Sequence, residues 1–250
     1  MSEYIEGKRP VIEALRTHVP IEAVLLADNV KRDALISDIL RKAKAQKVPV
    51  RTVRRADLDR ISARGSHQGV AAQTKPFPYA GMGDVLAHAE AQAARTDGRA
   101  LIVALDHITD AGNLGAIVRS AEVVGAAGVM IPNKRSAQVT AATYKSSAGA
   151  VANMPIAQVA NLKQALERCK EAGFWVAGAS EKADQSIWDA NLKGKIVLVM
   201  GNEGEGLARL TQETCDFLVA LPQMGKTASL NVAQSATACM YEWLRQNERA

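Results

Sequence analysis

Cysteine is scarce in this chain and badly placed for its usual structural uses. The three thiols, Cys169, Cys215 and Cys239, are far apart, odd in number and in no C-x-x-C pair. That excludes a disulfide framework and a thiolate zinc site, and leaves them as small buried hydrophobes. The four histidines, at 18, 67, 88 and 107, show no metal-ligand spacing, so no metal is expected. No stretch approaches the roughly 20 uninterrupted apolar residues that a bilayer span requires. The start, MSEYIEGKRP, lacks the apolar core of a secretory signal, and a cytoplasmic protein is expected. Tandem repeats of the solenoid kind are absent as well. With 23% charged and 48% apolar residues, the 250-residue chain is neither disordered nor collagenous, and it is long enough for one large core or two smaller ones.

Positive charge is unevenly distributed. The net charge of the whole is +5, but residues 1–75 carry 15 Lys or Arg against 9 Asp or Glu, while the remainder has 16 against 17. A basic first third beside a neutral remainder suits contact with an anionic polymer.

The first third reads as a small α/β unit. Helix-like patterns at about 9–17 and 31–46 alternate with short apolar runs, AVLLA, VPVRTV and QGVAAQ. Pro10 suits the first turn of a helix, where its missing N–H is no loss. The segment TKPFPYAGMG at 74–83 holds two prolines and two glycines, which continue neither helix nor central strand, and a boundary is placed there. The expected organisation is a small α/β domain at 1–73, a linker at 74–84, and a second domain at 85–250. In the second domain, near-continuous apolar strands alternate with helices. The strands are ALIVALD, AGVMIP, VANMPI, FWVAGA and KIVLVM; the helices are expected at about 114–124, 137–147, 161–171 and 229–247. This predicts an α/β fold with a largely parallel sheet covered on both faces, and ligands beyond the carboxyl ends of the strands. The loops after Asp106, Met200 and Leu221 are therefore the places to search.

Two glycine-rich segments fail as nucleotide-binding motifs. GNEGEG at 201–206 follows a strand, but its spacing is G-x-x-G-x-G rather than G-x-G-x-x-G. LPQMGKT at 221–227 has Ala220 where a phosphate loop needs its first glycine, and Pro222 removes an N–H that should cradle phosphate.

Three loops hold the remaining polar residues. DHITDAGNLGAIVR places Asn113 at a helix start and Arg119 six residues on; VLVMGNEGEGL puts Glu203 among glycines that permit close approach; LPQMGKTASLNVAQSA brings Ser229 and Asn231 to the entry of a long apolar helix. Asn113 and Ser229 are each suited to cap a helix. Taken together, the five side chains at three strand ends predict one polar cleft.

These segments resemble the signatures of the SpoU (TrmH-like) RNA ribose methyltransferases of the SPOUT superfamily. NLGAIVR, LVMGNEGEGL, and LP followed by GKTASLNVAQSA stand in the family's order, and EGKRPVIEAL and GSHQGVAA resemble the start and end of its small N-terminal substrate-binding domain. The likeness is closest to bacterial enzymes that methylate a guanosine 2′-hydroxyl in large-subunit (23S) ribosomal RNA. It implies a catalytic domain with a C-terminal trefoil knot, an obligatory homodimer, and S-adenosylmethionine as cofactor. It also implies cofactor contacts from Gly201, Leu221 and Leu230, with Met200 and Met224 as walls, and active-site roles for Asn113, Arg119, Glu203, Ser229 and Asn231. Ala111, Gln223 and Ala233 depart from the family's usual proline, methionine and serine. In the basic module, Lys8, Arg9, Arg54, Arg55, Arg64 and His67 are the expected RNA contacts. A transfer-RNA methyltransferase and a non-catalytic RNA-binding protein of the same fold are the alternatives.

The chemistry asks for a 2′-oxygen held in line with the methyl group, within roughly 3 to 3.5 Å. An arginine is a poor base, because its guanidinium stays protonated, so Arg119 is expected to stabilise the developing alkoxide and grip a neighbouring phosphate. Glu203 is expected to orient it.

Overall fold

The computed structural model describes residues 4–62, 65–227 and 229–248. In chain order the N-terminal elements are β1 (Tyr4–Glu6), α1 (Lys8–Arg16), β2 (Ile21–Ala27), α2 (Ala34–Ala45), β3 (Val50–Val53), α3 (Arg55–Ile61) and β4 (Val70–Thr74). The four strands form one sheet in the order β1-β4-β2-β3, antiparallel except where β2 meets β3. The helix expected from residue 31 begins at Ala34, because Asp33 accepts the Ile36 N–H at 2.9 Å and caps it.

Beyond the proline-rich segment come α4 (Met82–Ala93), β5 (Ala100–Leu105), α5 (Ala111–Val123), β6 (Gly128–Pro132), α6 (Ala141–Ser146) and β7 (Ile156–Val159). There follow α7 (Leu162–Glu171), β8 (Trp175–Ala179), β9 (Lys195–Met200), α8 (Arg209–Thr214), β10 (Phe217–Val219) and α9 (Val232–Asn247). The six strands lie in the order β10-β8-β9-β5-β6-β7, and every pairing is parallel. The expected parallel sheet is present.

Strand alternation divides the core between the two faces of this sheet. Leu101, Val103 and Leu105 of β5 join α5 and α9 residues such as Ile117, Val118, Ala236 and Met240 in one cluster. Ala100, Ile102 and Ala104 join Val85 and Ala89 of α4 and Leu166 of α7 on the other. Each fully buried Leu or Ile contributes about 1.5–3 kcal/mol relative to exposure. Gly115 sets how closely α6 approaches α5: a Cβ there would lie 2.6 Å from the Thr143 carbonyl oxygen and 2.0 Å from Ser146 Oγ.

Several expected boundaries move, each for a local reason. VANMPI is not a strand throughout: Gly149 takes a left-handed conformation at φ 88°, a 3-10 turn spans Ala150–Ala152, and β7 starts only at Ile156. The helix expected from 137 starts at Ala141, after Thr140. The closing helix starts at Val232 rather than Ser229, because Asn231, not Ser229, is its cap, accepting the Ala233 N–H at 2.9 Å. Likewise Asp110 caps α5 by accepting the N–H of Asn113 at 2.7 Å, which leaves the Asn113 side chain free for another partner.

The two sheets are not merely tethered. α1 packs on α6, and the apolar cluster of the N-terminal sheet is continuous with that of α5 and α6. Tyr79, in the connecting segment, accepts the Val139 N–H at 2.8 Å and donates to Gln138 at 3.3 Å, while its ring stands edge-on to Phe77. A cavity of about 280 Å³ lies between, lined by Ile5, Val19, Phe77, Tyr79, Thr140 and Tyr144 among others. Among the described residues no helix is long and apolar enough to cross a membrane.

One ion pair joins helix to helix and others lie within single helices, and together they fix the acid end of the stability profile. The Lys8 ammonium, 2.6 Å from Asp33 Oδ2, together with the Ile36 N–H, holds the Asp33 carboxyl below the usual carboxylate range. Arg16, Arg54 and Arg245 do the same for Glu13, Asp57 and Glu242. A carboxyl whose pKa is lower in the folded state stabilises the fold above its unfolded value of about 4, and that contribution is lost as pH falls through the folded one. The thermal midpoint should therefore drop as pH is lowered through about 4 and below. Melting curves of Asp33→Asn should show a shallower drop; a drop identical to that of the natural chain would contradict the assignment.

Candidate active site

Leu105 and Met200 end on adjacent parallel strands, so the loops that follow them emerge side by side. The first act of the sequence there is a buried acid. Asp106, 1% exposed, accepts the Ala208 N–H at 2.7 Å with one oxygen and meets His107 Nδ1 at 2.6 Å with the other. One carboxylate thus fastens the β5–α5 loop to the β9–α8 loop. Asn202 adds a second fastening, donating to the His107 carbonyl at 2.8 Å.

The β9–α8 loop folds back on itself. Asn202 and Gly206 exchange backbone hydrogen bonds of 2.9 and 2.8 Å, and Gly201 passes beneath them. A Cβ at Gly201 would fall 2.3 Å from the Gly206 carbonyl carbon and 2.4 Å from Leu207 N. Backbone cannot yield there as a side chain can, so only glycine fits.

Glu203 stands at the tip of this loop. Its Oε1 accepts from Asn113 Nδ2 and, at 3.0 Å, from Asn231 Nδ2, while Asn231 Nδ2 also donates to Asn113 Oδ1 at 3.0 Å. The three motif loops are thereby joined through three side chains, one from each. Among the described residues Glu203 forms no ion pair with Arg119, so its expected part in orienting that arginine is replaced by its hold on the two asparagines. Arg119 lies on α5 six residues after Asn113, exposed, with its guanidinium unpartnered among the described residues. The neighbouring Ser120 binds Thr237 of α9 at 2.7 Å.

Beside this cluster opens a cleft of about 160 Å³ at the carboxyl ends of β8, β9 and β10. Met200, Gly201, Glu203, Leu221, Ser229 and Leu230 line it. Met224 does not: it is 99% exposed, and Gln223 lines the cleft instead. Ala179 at the end of β8 and the three residues after it line it too, which the sequence analysis did not anticipate. The strand-end rule applied to FWVAGA was the signal for it. Cys239 forms part of the wall; burial pushes its thiol up to about 12, so it serves as apolar surface and not as a nucleophile.

The expected RNA contacts of the N-terminal module divide. Arg9 and Arg55 are exposed cations. Lys8 and Arg54 are engaged with Asp33 and Asp57. His67 is a correction: it is 2% exposed, accepts the Gly69 N–H at 3.0 Å on Nδ1 and lies 2.8 Å from Asp59 on Nε2, so it holds the β4 turn with both ring nitrogens engaged. Arg64 lies outside the described residues. No group of three or more His, Cys, Asp or Glu suited to a metal occurs among the described residues.

Residues 100–241 match the SpoU rRNA methylase family, and residues 4–80 match the RNA 2′-O ribose methyltransferase substrate-binding family. The chain belongs to the SpoU methylase family. An uncharacterized tRNA/rRNA methyltransferase of Mycolicibacterium vanbaalenii is 42% identical over 249 residues, covering 100% of this chain and 78% of the relative. Among solved structures, an rRNA methyltransferase from Sinorhizobium meliloti superposes on this SpoU methylase with a TM-score of 0.66 at 26% identity, covering 99% of this chain and 88% of the other. The SpoU methyltransferase AviRb from Streptomyces viridochromogenes, in complex with AdoMet, shares the fold with a TM-score of 0.69 at 24% identity, over 98% of this chain and 90% of that one.

For this SpoU methylase the closeness at Gly201 gives a direct test. Gly201→Ala should displace the 201–207 loop, lowering stability by about 1–3 kcal/mol and weakening S-adenosylmethionine binding in calorimetry. Gly204→Ala, whose Cβ would meet only Asn202 Oδ1 at 3.6 Å, should leave both unchanged. Equal behaviour of the two variants would show that the close approach does not shape the cleft.

Proposed function

We propose that this chain transfers the methyl group of S-adenosylmethionine to a ribose 2′-hydroxyl of RNA, and that the target is a guanosine of large-subunit (23S) ribosomal RNA. The observation that carries the reading is the Asn113–Glu203–Asn231 cluster at the rim of a glycine-floored cleft, in a chain of the SpoU family. The cofactor, when bound, supplies an electrophilic methyl group. The cleft suits it: Met200, Leu221 and Leu230 offer apolar wall, the bare backbone at Gly201 permits close approach, and Glu203 brings a negative charge for a sulfonium.

The chain's own residues then have separate tasks. Glu203, held by two amides, fixes the relative position of α5, the β9–α8 loop and α9. Ser229, exposed at the cleft, is placed to meet the ribose or the cofactor. Arg119, exposed and unpartnered, stabilises the oxygen as its proton leaves and grips a phosphate.

The working unit is a homodimer in which the site is completed by a second copy. Supporting this, Val123 of α5 and Tyr241 of α9 are 60% and 48% exposed on helices that pack together close to Arg119. We also assign the C-terminal segment to a trefoil knot: β9 is inserted between β8 and β5, and α9 packs back on α5. Ribosomal RNA as substrate implies a cytoplasmic location.

Labelled methyl transfer from S-adenosylmethionine to large-subunit ribosomal RNA, with transfer RNA alongside, tests the proposal. Nucleoside digestion should place label in 2′-O-methylguanosine of the ribosomal RNA. Label confined to transfer RNA would overturn the target and keep the chemistry; no label in either, naked or in ribosomal particles, would point to an RNA-binding protein without activity.

Arg119→Ala should lower transfer by about 10²- to 10³-fold, as loss of an oxyanion donor does. Arg119→Lys should retain measurable transfer at raised pH. If the lysine variant binds cofactor and RNA normally and transfers nothing at any pH, charge alone is not the arginine's contribution.

A further inference from the structure

The charge count places the basic excess in the first 75 residues, yet the structure engages Lys8 and Arg54 there in ion pairs and buries His67. A different basic surface stands in the catalytic half. Between Glu122 and Glu167 the chain contains no acidic residue at all, while it carries Lys134, Arg135, Lys145 and Lys163. This stretch runs through β6, the β6–α6 loop, α6 and β7.

Lys134 and Arg135 are exposed, and neither side chain has a hydrogen-bond or ion-pair partner among the described residues. Their loop is held rigidly. Asn133 N–H donates to Val159 at 3.0 Å, and the Ile108 carbonyl accepts both the Ala137 N–H at 2.7 Å and the Ser136 hydroxyl at 3.2 Å. Arg135 itself sits at φ 53°, a left-handed conformation that few non-glycine residues adopt. Ile108 follows His107, whose carbonyl receives Asn202 of the Glu203 loop, so the two cations stand on the rim of the candidate site.

Lys145 extends the surface. It lies exposed on α6, whose Ser146 donates to the Ala111 carbonyl at 3.4 Å at the start of α5. On its other side α6 packs against α1, and Lys145 reaches Glu13 electrostatically; Glu13 is itself paired with Arg16. The three cations therefore lead from the site rim toward the N-terminal module.

We propose that Lys134, Arg135 and Lys145 form the track that holds the phosphates of the substrate RNA flanking the target nucleotide. This rests on the chain acting on RNA. A lysine offers a point charge and an arginine a fork that matches phosphate oxygens. Absence of carboxylates across the whole stretch removes the repulsion that a polyanion would otherwise meet. Rigid presentation means that the loop's ordering entropy is already spent in folding, not on binding.

The test is a titration of the full-length protein with a large-subunit ribosomal RNA fragment at several salt concentrations, for Lys134→Ala/Arg135→Ala, for Lys145→Ala, and for Lys193→Ala. Lys193 precedes β9, at the opposite end of the sheet, and serves as control. The double variant should bind about tenfold or more weakly and lose about two units of salt slope, and Lys145→Ala about one unit. S-adenosylmethionine binding and the melting curve should stay at natural values, which separates a lost contact from a lost fold. Lys134→Arg/Arg135→Lys should restore most of the affinity.

If the natural chain methylates RNA while the double variant binds it with unchanged affinity and slope, the track is wrong and the proposed function stands. If the natural chain neither binds nor methylates RNA, both fall. An affinity loss equal in Lys193→Ala would reduce the effect to net charge and would also overturn the track.

Discussion

The crossing of backbone at Gly201 is the constraint on which the site depends. A chain leaving a central parallel strand normally moves away from the sheet; here it turns so tightly that a single Cβ would penetrate the returning segment at Gly206 and Leu207. Because the loop closes within six residues, Glu203 is carried to a fixed point above the ends of β5 and β9. Asn113 and Asn231 are then within reach of one carboxylate oxygen, although 118 residues separate them along the chain. Buried Asp106 serves the same end from below, since its two oxygens are divided between the two loops that must stay in register.

Much of this was legible in the sequence, for reasons that differ by element. β5, β6 and β9 were visible because both of their faces are covered, which makes them continuous apolar runs. β1 and β10, of three residues each, and α8, of six, are too short to show a period. α3 spans only seven residues, and the alanine-rich α4 has a weak apolar stripe and begins inside the segment read as linker. The three polar loops could be found because glycine, asparagine and a carboxylate at strand ends have few structural uses in common. Which of them touch could not: the sequence offered Arg119 as the natural partner of Glu203, and distance in the fold gave it two asparagines instead.

Charge shows the same division. Counting located the basic excess, but a count is blind to what each cation faces. Lys8 neutralises the carboxylate that caps the neighbouring helix, Arg54 one in the first turn of the helix it precedes, and their effect is on the fold. His67 was invisible as a core residue because its burial comes from α3 and the β4 turn, through Asp59 and Gly69. A free cation is defined by its surroundings, and those are assembled only when β6, α6 and α1 meet.

That meeting has a consequence for the molecule as a folding unit. The apolar cluster under the N-terminal sheet runs without a break into the cluster around α5 and α6, and Tyr79 is hydrogen-bonded into the segment that leads to α6. The smaller half is thus not an appendage that can be cut away. Excising it would strip cover from Phe77, Val139 and Tyr144 and leave the catalytic half with a sticky apolar scar, prone to self-association. The two halves should melt in a single cooperative transition, and the shorter chain should be the harder of the two to keep in solution.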